Sequence, residues 1–99
     1  MSGRKHLHNR RPNETTAFEH EGSFYRMTAG YFSDGTVGEV FLSHDRADSL
    51  LDALAHDAAI LASIAIQYGA APSELAHAIK RDSRGIASSP IGAALDKIA

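Results

Sequence analysis

From Thr15 to Ser43 apolar and polar residues alternate with a period of two, the signature of half-buried strands. Thr15-Thr16-Ala17-Phe18 is a short β-prone run ended by the Glu21-Gly22 turn. Ser23 to Phe32 follows, with Tyr25, Met27, Ala29 and Tyr31 on one face and Phe24, Arg26, Thr28 and Phe32 on the other. Ser33-Asp34-Gly35 is a turn signal, because Asp-Gly suits the positive-φ positions of hairpin turns. Thr36 to Ser43 returns as a third strand. Gly30 and Gly38 interrupt these strands, where glycine marks a bulge or a close backbone approach.

The pattern then changes to a helical period from about Ala47 to Tyr68. Asp45 or Asp48 is placed to cap this helix, and Gly69 to stop it. Its polar residues Asp52, His56, Ser63 and Gln67 fall 4, 7 and 4 residues apart and form one narrow stripe. A stripe so narrow reads as the solvated face of a helix covered elsewhere, by a sheet, by later helices or by a second chain. The small residues Ala55, Ala58, Ala59, Ala62 and Ala65 would permit close helix-to-helix approach, so a homodimer through this helix is expected. Ala71-Pro72-Ser73-Glu74 opens a second helix, with Lys80-Arg81 at its C-terminal end. After a loop over residues 82–88, Ser89-Pro90 opens a last helix bearing Ile91, Ala94, Leu95 and Ile98. The expected class is therefore α+β: a three-stranded antiparallel meander, then a long helix packed on the sheet and two short C-terminal helices.

Length bounds this to one small domain, since there are 99 residues. Charge divides it. Residues 1–11 hold Arg4, Lys5, Arg10 and Arg11 and no acid, whereas residues 12–99 hold 6 basic and 12 acidic residues. The first segment reads as a flexible basic arm that could meet phosphates, weakly a nucleic acid, or an acidic partner surface, and 12–99 as the domain. No apolar run approaches 18 residues without a polar interruption and no signal peptide is read at the start, so no membrane is expected and the cytoplasm is the expected compartment.

The 99 residues hold no cysteine, which removes thiolate metal sites, cysteine nucleophiles and thiyl-radical chemistry from what they can do. The histidines lack metal-ligand spacing, and neither a P-loop nor a G-x-G-x-x-G is present, so no metal and no cofactor is expected. Among the carboxylates Glu19, Glu21, Glu39, Asp45 and Asp48, Glu39 stands out. It sits between Gly38 and Val40-Phe41, with a cross-strand salt bridge to Arg26 as its structural role and a ligand or partner contact as its functional one. A second candidate is the last helix's N-terminus, where Ser88 and Ser89 with upstream Arg81 and Arg84 could hold a phosphate or a partner carboxylate. No catalytic residue is assigned.

Several of these segments together resemble a known family. Arg11-Pro12 precedes the paired strands, and Asp34-Gly35 with Gly38-Glu39-Val40-Phe41 leads into the third. The long helix ends Ala65-Ile66-Gln67-Tyr68-Gly69, and Ser89-Pro90 precedes the final helix. Over residues 11–99 this is similar to the TSCPD domain in the C-terminal part of vitamin B12-dependent (class II) ribonucleotide reductases. The resemblance implies a stand-alone, non-catalytic accessory or binding module linked to deoxyribonucleotide synthesis through protein or nucleotide binding, with a reductase or another nucleotide-metabolism protein as the expected protein partner. Reductase activity itself is not expected, because it needs a radical-forming cysteine and a redox cysteine pair. The competing class is a small enzyme or metal-binding protein on the same scaffold, unrelated to ribonucleotide reduction.

Overall fold

Glu21 and Gly22 both take positive φ, 53° and 79°, and this two-residue turn folds β1 (Asn13–His20) back on β2 (Ser23–Tyr31). Two consecutive positive φ values give the twist that matches paired right-handed strands. The structure, a computed structural model, describes residues 3–99. A second turn, in which Asp34 Oδ1 accepts the Thr36 N–H at 3.0 Å, leads into β3 (Val37–His44). The sheet is antiparallel in the order β1-β2-β3, as the alternation implies. β1 is longer than the β-prone run Thr15–Phe18, because the whole stretch from Asn13↔Gly30 to His20↔Ser23 finds partners on β2. The β2–β3 register shifts between Gly30, which faces Glu39, and Tyr31, which faces Val37.

Helix α1 spans Leu50–Gln67, α2 Pro72–Ala78 and α3 Pro90–Ile98. α1 begins three residues later than the sequence pattern suggests, and neither Asp45 nor Asp48 caps it. Asp48 takes φ 62° to turn the chain, so the extended Ser49 becomes the N-cap and accepts the Asp52 N–H at 3.1 Å. Ser49 is fixed in turn by donating to the Arg46 carbonyl at 2.8 Å. Lys80 and Arg81 lie beyond the last turn of the short α2.

One face of the sheet carries Tyr25, Met27, Val40 and Leu42 into the core. Ala55, Ala59 and Ala62 of α1, Ala76 of α2, and Ile91, Ala94 and Leu95 of α3 complete it. Ala55, Ala59 and Ala62 thus serve the monomer's core, where their small size lets the helix approach β3 closely.

The polar stripe of α1 points the opposite way from the solvated face read in the sequence. Ser63 and Gln67 are buried, and only His56 of the four is fully exposed. The reason lies in β3, an edge strand whose outward N–H and C=O groups have no strand partner. Ser63 Oγ accepts the Val40 N–H at 2.8 Å, Gln67 Nε2 donates to the Gly38 carbonyl at 2.9 Å, and Asp52 Oδ1 accepts the His44 N–H at 2.9 Å. Gly38 to His44 spans about 20 Å of strand, and Asp52 to Gln67 about 22 Å of helix. An antiparallel helix can therefore meet the edge along its length.

The opposite side of α1 is left uncovered. Leu50, Leu54 and Leu61 are 73%, 59% and 69% exposed. By length and composition α1 is also apolar enough to cross a membrane, which the interrupted apolar pattern does not suggest.

Candidate functional site

The register that sets Glu39 opposite Gly30 makes a small polar node on the second, more open face of the sheet. A Cβ on Gly30 would collide with the Glu39 carboxylate, so glycine there lets the side chain fold across the neighbouring strand. Glu39 is only 7% exposed. Arg11 covers it in a two-pronged pair, Nε to Oε2 at 2.5 Å and Nη2 to Oε1 at 3.1 Å. Its third nitrogen donates to the His8 carbonyl at 2.6 Å. The hydrogen bond to Glu39, helped by its charge, raises the Arg11 guanidinium above its ordinary value. Arg26 is not the partner. It is exposed and lies in register with Ala17 and Ser43, four residues along β2 from Gly30, a separation of about 13 Å.

Arg11 belongs to the segment read as a flexible arm, and the described part of that segment is held at several points. Residues 1 and 2 lie outside the described residues. Lys5 donates its backbone N–H to the Gln67 carbonyl at 2.7 Å, and Arg4 Nε bonds Gln67 Oε1 at 2.5 Å. The Lys5 ammonium sits 4.1 Å from the centre of the Phe32 ring and 3.4 Å from Asp34 Oδ2. Asp34 is held down at about 2, first by the Thr36 hydroxyl and backbone N–H, then by Lys5. Leu7 packs where Gly38 leaves room beside Phe32. Arg10 is exposed. Gln67 thus bonds the arm with its carbonyl oxygens and β3 with its amide nitrogen. The two glycines that bracket this node, Gly30 and Gly38, were its legible signal. The identity of its cation was not.

The suggested anion site at α3 is occupied by the chain's own groups. Arg81 donates to both Asp96 oxygens, at 2.5 and 3.0 Å, and to the carbonyls of Ala76 and Gly85. That pairing lowers the Asp96 carboxyl and raises Arg81. Ser89 caps α3 by accepting the Gly92 N–H at 3.2 Å. The Ser88 N–H bonds the Lys80 carbonyl. Arg84 projects into solvent, 3.6 Å from Asp82. The structure therefore does not gather Arg81, Arg84, Ser88 and Ser89 around a common point.

Near the start of α1 an open cleft of about 640 Å³ is lined by Phe24, His44, Arg46, Ser49 and Leu51 among others. His44 Nδ1 accepts the Arg46 N–H at 2.9 Å, and its Nε2 is buried without a partner. The ring meets Tyr25 edge-on at 5.0 Å. Among the described residues no group of three or more His, Asp or Glu side chains is placed to hold a metal ion. What the surface does offer is apolar: the leucines of α1, and Phe24 and Phe41 on the open face of the sheet.

No family model and no solved structure matches the chain. Curated vitamin B12-dependent ribonucleotide reductases do. That of Streptantibioticus cattleyicolor is 38% identical over 66 residues, covering 67% of this chain and 11% of the relative. Those of Streptomyces clavuligerus and Streptomyces coelicolor are 38% identical over 66 residues, covering 67% of this chain and 7% of each relative. The chain thus spans about a tenth of these relatives or less, and the similarity supports a domain related to a segment of the reductase.

Proposed function

We propose that this chain is a non-catalytic binding module of TSCPD type, which serves deoxyribonucleotide synthesis by docking on a protein of that process, a B12-dependent ribonucleotide reductase first among them. The reading is carried by one observation: two-thirds of the chain is 38% identical to a segment of those reductases, in a sequence without a single cysteine. The fold around that likeness supports binding over chemistry. The buried carboxylate of Glu39 is neutralised by Arg11, and Arg81 beside α3 is held by Asp96. The open sheet face, with Phe24 and Phe41 beside the exposed Arg26, supplies an aromatic and cationic patch of the kind that anchors protein interfaces.

The test is sedimentation of the chain with a purified B12-dependent reductase from the same cells. Co-migration that Phe41→Ala weakens at least tenfold is the expected result. Calorimetry with ribonucleoside and deoxyribonucleoside triphosphates runs beside it. A reductase that never co-migrates, with nucleotide heats present, would replace protein docking by nucleotide binding. Deoxynucleotide formed by the isolated chain would overturn the non-catalytic reading.

A further inference from the structure

The outward face of α1 carries Leu50, Leu54, Leu61 and Ala65, spaced 4, 7 and 4 residues apart. That spacing is the same read in either direction, with its midpoint between Asp57 and Ala58. A stripe with this symmetry is complementary to its own reversed copy, which is what a two-fold contact requires. The geometry points to a second copy of this chain as the occupant: two α1 helices packed antiparallel about a two-fold axis at residues 57 and 58, with Leu54 of one protomer on Leu61 of its partner and Leu50 over Ala65.

One further feature fits this occupant. Antiparallel pairing sets the two helix dipoles against each other. Area sets the strength. A helix of 18 residues is about 27 Å long, so this contact covers roughly half of the ~800 Å² per partner of a standard interface. The association is therefore concentration-dependent. Asp57 flanks the axis and meets its own copy there, a like-charge contact that weakens it further.

This inference does not depend on reductase binding, and its test uses the chain alone. Sedimentation should show a mass rising from 10.6 kDa toward twice that value as the concentration increases. Leu54→Glu and Leu61→Glu should each abolish the rise with unchanged circular dichroism, since both side chains are already exposed. Asp57→Asn should strengthen it. Orientation is read from two single-cysteine chains, Leu54→Cys and Leu61→Cys, in a background that has no cysteine of its own. In the antiparallel pair equal positions sit about 10 Å apart along the axis, beyond disulfide reach. A mixture of the two should give the 54–61 heterodisulfide, and either alone should give little. Rapid homodisulfides from each alone would mean parallel pairing and overturn the proposal. So would a monomer at all concentrations, including one that instead binds phosphatidylcholine–phosphatidylglycerol vesicles through the same leucines.

Discussion

The hydroxyl of Ser63 lies 2.8 Å from both the backbone nitrogen and the carbonyl oxygen of Val40, so one helix side chain stands in for a missing neighbouring strand. Its single proton is shared between the Val40 carbonyl and that of Ala59, 2.9 Å away in its own helix. Val40 itself is completely buried. With Asp52 and Gln67 on neighbouring turns, this contact closes one edge of the sheet while the outer edge of β1 stays open.

Ser63→Ala should therefore cost more than an ordinary serine on a helix. It leaves a buried N–H without a partner, a loss of about 1–3 kcal/mol. For a domain of this size each kcal/mol lowers Tm by roughly 4–8 °C. Thermal unfolding checks it, and a change within 1 °C would show that water reaches the β3 edge.

Gly30→Ala should displace the Glu39 carboxylate and with it Arg11. The expected outcome is a lower Tm together with faster proteolysis within residues 3–11, because one contact anchors both. Arg11→Ala should reproduce the proteolysis, since its guanidinium ties the arm to the sheet. Removal of residues 1–11 should likewise lower Tm by several degrees. Wild-type stability in the truncated chain would mean that the arm is not held in solution.

Glu21 occupies a positive-φ position that a side chain other than Asn or Gly takes at a cost of about 1 kcal/mol. Glu21→Asn creates the Asn-Gly pair favoured at such hairpins and should raise Tm by a few degrees. Equilibrium denaturation should show a higher midpoint with an unchanged slope.

Asp34 fixes the pH dependence of the second turn. Its carboxyl is lowered from 3.8 to about 2 by the Thr36 hydrogen bonds and by Lys5. A carboxyl lowered in the folded state contributes its stabilisation above the unfolded value and loses it as pH falls toward the folded one. The turn should thus loosen between about pH 4 and pH 2, and carboxyl titration by NMR should place the Asp34 midpoint at about 2, below the ordinary aspartate value of 3.8. Asp34→Asn should remove this part of the acid transition.

The local signals in the sequence were sufficient for the elements and their order. Alternation marked β2 and β3, the Glu21-Gly22 and Asp34-Gly35 pairs marked the turns, and Gly69 and Ser89-Pro90 marked helix boundaries, all through the φ preferences and hydrogen-bonding habits of single residues. Gly30 and Gly38 also announced a close approach, which Glu39, Phe32 and Leu7 make. Two matters were decided only by tertiary structure. Periodicity separates the faces of α1 but carries no sign, so it could not tell which face turns inward. The unpaired groups of β3 drew Ser63, Gln67 and Asp52 in and left the leucines out, because a buried unpaired amide costs more than an exposed leucine. The partner of Glu39 was likewise out of reach, since Arg11 lies 28 residues away in sequence and only the folded register brings it closer than Arg26.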